Sequence, residues 1–165
     1  MTEERPNTVA PGSESDEPSQ QTDASLKTLL VEQAPDAMIF ADRDGLIRVW
    51  NAAAEIMFGY SSADAVGRSL DIIVPDQFRE AHWQGYDRAL EAGETKYRGK
   101  SLPTRAMKAN GETLYVELSF AIICDEGGAV IGALASARDI TQRFEQDRTN
   151  RRRLRELEQE LSTQM

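Results

Sequence analysis

From Leu114 to Phe120 the chain alternates: Leu114, Val116, Leu118 and Phe120 are apolar, and Tyr115, Glu117 and Ser119 between them carry polar groups. A period of two predicts a half-buried antiparallel strand, extended by its apolar flanks to Thr113–Cys124. Tyr97 to Lys108 and Ala129 to Arg138 read as strands too, and Asn110-Gly111 and Asp125-Glu126-Gly127-Gly128 are hairpin connections between them. Nearer the start, Ala37 to Ala41 and Leu46 to Trp50 flank Asp42-Arg43-Asp44-Gly45 and predict another hairpin.

Between these blocks the spacing becomes helical. Asn51 is placed to cap an alanine-rich helix over Ala52 to Phe58, stopped by Gly59. Ser61 with Asp64 marks a short turn closed near Gly67, and Leu70 to Val74 a further single turn. Upstream, Ser25 is the expected cap of a short helix through about Gln33, with Leu26, Leu29 and Leu30 on one side and Pro35 beyond its end. The longest internal helix is expected to start at Pro75-Asp76, with Asp76 capping, and to end at about Gly93. Phe78, His82, Gly85 and Ala89 fall at i, i+4, i+7 and i+11 and are expected to share its apolar face. Trp83 is one step off that face, which points it toward a dimer or partner surface, whereas Tyr86 and Trp50 are read as packing residues. A last helix begins near Thr141; Leu154, Leu157 and Leu161 keep a 3-4 spacing, but the same frame puts Asp147 and Asn150 at core positions.

Two hairpin blocks around a helical insert predict an α+β fold: one five-stranded antiparallel sheet with helices gathered on one face. Its cavity would lie between the sheet and the long helix, where His82 points. The domain division is then an acidic, disordered tail over 1–24, a globular domain over 25–140 and an amphipathic signalling helix over 141–165.

Charge narrows the function classes. The 165 residues carry a net charge of -9, of which 1–24 contribute -5, 25–140 another -5 and 141–165 +1. An acidic domain without a basic face argues against nucleic acid and anionic membranes as partners, and the arginines of 148–155 are followed by Glu156, Glu158 and Glu160. The acidic start is no signal peptide, no apolar run is long enough to span a membrane, and the single cysteine suits a reducing compartment, so a cytoplasmic location is expected. With one histidine, no Gly-x-Ser-x-Gly elbow and no glycine-rich phosphate loop, an enzyme is not expected. A hydrolase-like activity lacks its triad.

His82 remains as the residue that asks for chemistry. A lone histidine on an apolar helix face is either a hydrogen-bonded packing residue or a ligand to something in a pocket. Cys124, closing a strand beside a turn, reads as a small apolar filler.

Asn51-Ala-Ala-Ala-Glu55-Ile-Met-Phe58-Gly59-Tyr60, Gly67-Arg68-Ser69, Asn110-Gly111, Glu117-Leu118-Ser119 and Arg138-Asp139-Ile140-Thr141, in this order and spacing, resemble the marks of a PAS (S-box) sensory domain. The resemblance covers about residues 25–141. It implies a sensor that holds a ligand or cofactor, or only a partner, and passes strain through its sheet to the helix after Arg138-Asp139-Ile140-Thr141. That helix runs to the last residue, so a stand-alone sensor is expected, dimeric through its flanking helices and read by an unidentified downstream signalling protein. Flavin light sensors of this family use a cysteine in the helical middle, and Val66 to Arg79 has none, which argues against a covalent flavin adduct. The chain is similar to the haem-binding PAS domains of rhizobial oxygen-sensing histidine kinases. That similarity implies His82 as axial ligand to haem b iron, Arg88 at a propionate, Tyr86 beside the cofactor, and Leu118 and Phe120 on the distal side. The distal arginine of those kinases falls on Leu102, and Lys96 to Lys100 replace an apolar segment, which leaves carbon monoxide, nitric oxide or redox state open as the signal. The alternative implied by the same family is a ligand-free interaction module.

Overall fold

The computed structural model describes residues 19–95 and 100–163. In chain order they form α1 (Ser19–Glu32), β1 (Ala37–Asp42), β2 (Ile47–Trp50), α2 (Ala52–Phe58), α3 (Ser62–Ala65), a 3-10 turn (Leu70–Ile72), α4 (Asp76–Ala92), β3 (Leu102–Met107), β4 (Thr113–Cys124), β5 (Val130–Asp139) and α5 (Thr141–Thr163). The five strands make one antiparallel sheet in the order β2-β1-β5-β4-β3. This is the α+β arrangement expected from the two hairpin blocks.

Local chemistry accounts for most of these elements. The Asp42 carboxylate accepts the amides of Asp44 and Leu46 at 3.0 Å each, and Gly45 takes the left-handed conformation (φ 74°) that closes the β1–β2 turn. Asn51 caps α2 by accepting the Ala54 amide at 3.0 Å. The same side chain accepts the Met38 amide and donates to the carbonyls of Val31 and Asp36, so one fully buried amide ties the end of α1, β1 and α2 together. Trp50 lies against Phe58, ring centroids 5.3 Å apart, and its indole donates to the Tyr60 carbonyl. Around it Ile39, Ile47, Leu114, Val116 and Ala137 form the core between the helices and one sheet face.

Three expectations at element ends need correction. α1 begins at Ser19, so Ser25 lies inside the helix, and 19–24 belong to a helix rather than to a disordered tail. Its early turns hold by local contacts: Lys27 pairs with Asp23 at 2.9 Å, and the Thr28 hydroxyl donates to the Ala24 carbonyl. The rest of that proposed tail, residues 1–18, lies outside the described residues. Asp76 does not cap α4; Pro75 occupies the cap position without a side-chain bond, and Asp76 pairs with Arg79 at 2.7 Å. β3 starts at Leu102; the expected strand residues Tyr97 to Gly99 fall outside the described residues, and Lys100 and Ser101 are not strand.

Candidate functional site

α4 crosses the same face of the sheet that carries the core, and three polar anchors set its position. Arg79 donates to the carbonyls of Asp71 (3.0 Å) and Val74 (3.2 Å), strapping the first turn of α4 to the 3-10 turn. The Trp83 indole donates to the Asp71 carboxylate at 2.8 Å. The Tyr86 hydroxyl reaches the carbonyls of Ala41 (3.0 Å) and Asp42 (2.6 Å) at the end of β1. Burial, helped by the charge of Asp42, pushes the Tyr86 phenol up to about 12.

These anchors widen the inward stripe of α4 beyond the expected one. His82, Gly85 and Ala89 of the expected face are half-buried, as are Trp83 and Tyr86, whereas Phe78 stays 41% exposed. Trp83 is therefore not a partner surface: it packs against the core beside Tyr86 and lies directly over Gly45. The four-point apolar pattern thus holds at three positions and fails at Phe78, in the first turn of the helix.

His82 forms a triangle of rings with Trp83 and Tyr86, whose own centroids are 5.5 Å apart. Its centroid is 4.9 Å from that of Trp83 at 77° and 6.0 Å from that of Tyr86 at 31°. Nδ1 is closed off from solvent and has no hydrogen-bond partner among the described residues. Burial lowers the imidazole below its ordinary pKa against an opposing pull from the Asp71 carboxylate, which keeps the ring neutral at pH 7. A buried ring nitrogen without a partner forfeits a hydrogen bond it had in water, so packing alone does not explain this histidine.

The opposite wall is the sheet. Ala133, Ala135 and Ala137 of β5 stand directly across from Ile122, Phe120 and Leu118 of β4, and Leu118 stands across from Leu102 of β3. Burial falls along this face: Leu114 and Val116 are buried, while Leu118, Phe120, Ile122 and Leu102 are only half-covered. Three small alanines stand at its centre and cover is incomplete toward Phe120, so this stretch of the sheet presents a half-covered apolar face. A shallow depression of about 460 Å³ along Arg155, Glu158, Gln159, Ser162 and Thr163 is the open flank of α5.

Of the residues singled out in the sequence, His82 and Tyr86 are neighbours on α4, ring centroids 6.0 Å apart, and Leu102 stands across from Leu118, two residues before Phe120, on the β3–β4 part of the sheet. Arg88 is exposed, and six helical residues from His82 put it about 120° round the axis from the histidine. Asp71, which faces both Trp83 and His82, was not singled out; it lies 12 residues before Trp83 and nothing local marks it. Among the described residues no group of three or more His, Cys, Asp or Glu side chains could hold a metal ion. Cys124 is exposed at the end of β4 rather than a buried filler. No described helix is long and apolar enough to cross a membrane.

The profile of the PAS fold matches residues 31–145. A protein of Azorhizobium caulinodans of uncharacterised role is 31% identical over 134 residues, 81% of this chain and 17% of its own length. The sensor protein FixL of Bradyrhizobium diazoefficiens is 27% identical over 132 residues, 80% of this chain and 25% of its own length. The chain thus spans a quarter or less of either relative. The crystal structure of a PAS domain from Colwellia psychrerythraea superposes with a TM-score of 0.63 at 24% identity, covering 72% of this chain and 98% of that one. The sheet order, the helices on one face and the match across the whole sheet agree with one another: the chain belongs to the PAS family, in a form related to the sensory domains of signalling proteins.

Proposed function

We propose that this PAS domain senses a small ligand held in the cleft between α4 and the sheet, with His82 as the residue that contacts it, and that haem is the ligand class the site suits best. The observation that carries the reading is the buried, unpartnered Nδ1 of His82 in a neutral ring beside an apolar wall. A porphyrin brings four equatorial nitrogens of its own and asks the protein for one axial donor, an apolar slot and a cation at the rim. His82 would be the axial donor; Leu118, Phe120 and Leu102 the apolar wall; Arg88, in solvent on α4, would have to turn to meet a propionate. Haem would supply an iron that binds diatomic gases, and the chain would supply the neutral imidazole, oriented by its contacts with Trp83 and Tyr86. A ligating imidazole ordinarily donates its second N–H to an acceptor, so His82 would rotate when loaded.

The reading is tested by adding haem to the purified protein and recording the visible spectrum. A Soret band that His82→Ala removes or shifts, and Cys124→Ser does not, is the expected result. No band after reconstitution would sink it. A second reading is favoured by the packing of His82, Trp83 and Tyr86 on one another: a PAS module whose own rings fill its cleft and whose partner reads the helices. Absence of a band, with unchanged stability on adding haem, selects that reading.

Output in either case would run through α5. Leu154, Leu157 and Leu161 are 59%, 47% and 66% exposed, which fits a stripe awaiting a second copy of the helix in a homodimer, with a signalling protein of unknown kind downstream. Cutting the chain after Thr141 should lower the mass by light scattering to that of a single truncated chain; a mass of two truncated chains would count against this interface. A cytoplasmic, non-enzymatic role is part of the same proposal.

A further inference from the structure

Phe78, in the first turn of α4, stands outside the inward stripe, yet it has a partner. The Arg105 guanidinium carbon of β3 lies 5.7 Å from its ring centroid and 5.7 Å from that of Tyr115. Arg105 and Tyr115 are directly opposed across β3 and β4, so the sheet register holds the cation against the second ring. Tyr115 then stacks on Phe144 in the first turn of α5, centroids 3.8 Å apart and planes 17° from parallel. Tyr115 also anchors the root of that helix through its backbone. Its amide donates to the Thr141 hydroxyl at 2.9 Å, and its carbonyl accepts the Ile140 amide at 2.9 Å. One residue of β4 therefore touches both the start of α5 and the cation that holds the start of α4.

We infer that Phe78, Arg105, Tyr115 and Phe144 form a coupling path from the helix over the cleft to the terminal helix, with Arg105 as the link that joins its two halves. Ring–cation and ring–ring contacts fall off over an ångström or two and depend on orientation, so they report a shift of α4 more sharply than aliphatic packing would. A movement of the first turn of α4 takes Phe78 off the guanidinium. Arg105 then loses one of its two ring contacts, and its contact with Tyr115, on which Phe144 stacks, changes. The inference deepens the sensor reading by naming the route from cleft to α5, but the contacts exist without any ligand. A missing haem spectrum would thus sink the ligand reading and leave the coupling standing.

The test is amide hydrogen exchange by mass spectrometry on the full, ligand-free chain. Phe78→Leu should raise exchange in the first turn of α5, which it does not touch, and Phe144→Leu should raise exchange in the first turn of α4. Each effect should be about threefold or more, the scale of such networks, and both should appear, since coupling runs in both directions. Arg105→Gln should raise both, and Phe78→Tyr, which keeps the ring, neither. Ile56→Ala, at an 87% exposed site on α2, is the control and should also change neither. Unchanged α5 exchange in Phe78→Leu, with raised exchange in Tyr115→Leu, would end the path at Tyr115 and overturn the inference. A rise spread equally over β5 would mark general loosening and overturn it as well.

Discussion

Gly45 offers the sharpest test of how α4 is held over the sheet. A Cβ built at this position would meet two carbons of the Trp83 ring at 2.2 and 2.3 Å, and the backbone is left-handed at φ 74°. Gly45→Ala therefore combines two costs. An L side chain in the left-handed region costs about 1–2 kcal/mol. Forcing a methyl into a ring that cannot step aside costs about 1–3 kcal/mol more, and Trp83 is restrained because its indole is bonded to Asp71 at 2.8 Å. The sum is a loss of about 2–5 kcal/mol. Gly67 separates the two terms, since it is also left-handed (φ 87°) but a Cβ there would meet nothing within 4 Å. Gly67→Ala should lose only about 1–2 kcal/mol, the backbone part alone. Urea unfolding followed by far-UV circular dichroism, with slopes checked for constancy, measures both variants. In a Trp83→Leu background the cost of Gly45→Ala should fall toward that of Gly67→Ala. If Gly45→Ala and Gly67→Ala lose the same stability within about 0.5 kcal/mol, the reasoning about Trp83 is wrong.

Asn51→Ala should be among the most damaging single changes, at about 3 kcal/mol or more. It strips two donors and two acceptors of their partner at a fully buried site; a loss under about 1 kcal/mol by thermal melting would refute the tie it makes between α1, β1 and α2. The pH response follows from His82. Its folded pKa is lowered, so the unfolded chain takes up the proton first; the stability it contributes is full above its ordinary value of 6.5 and drains as the pH falls toward the lower folded value. Urea midpoints should drop between about pH 7.5 and about pH 5.5, and His82→Gln should flatten that drop; equal slopes in the two proteins would contradict the burial of this ring. Asp36 and Arg138 form a two-pronged ion pair at 2.9 Å, but Arg138 is exposed and screened by solvent, so Arg138→Ala should leave the urea midpoint nearly unchanged, and a large drop would contradict this.

Much of the fold was legible residue by residue. The period of two in Leu114–Phe120, the Asp42–Gly45 turn and the Asn51 cap are local signals, and each resolved into the expected element. The start of α1 was misread because Ser25 has the chemistry of a cap, while short-range pairs such as Asp23–Lys27 extend the helix past it. His82 was legible as an oddity because it is the one histidine in the chain. Its condition was not legible: the unpartnered Nδ1 and the inward Trp83 bonded to Asp71 are set by packing between elements, which no local pattern encodes.

The sequence by itself determined the class of fold, the strand pairing by hairpins, the helix ends carried by Asn51 and Gly93, and the identity of the residue to question. These follow from contacts within a few residues, where backbone preference and side-chain reach decide the outcome. Only the tertiary structure decided which face of α4 turns inward, that Arg88 stands in solvent apart from His82, and that Phe78, Arg105 and Tyr115 meet Phe144. Those facts join residues from α4, the 3-10 turn, the β1–β2 turn, the sheet and α5. The sheet register and the packing of helices on it, which no local pattern encodes, bring them into contact.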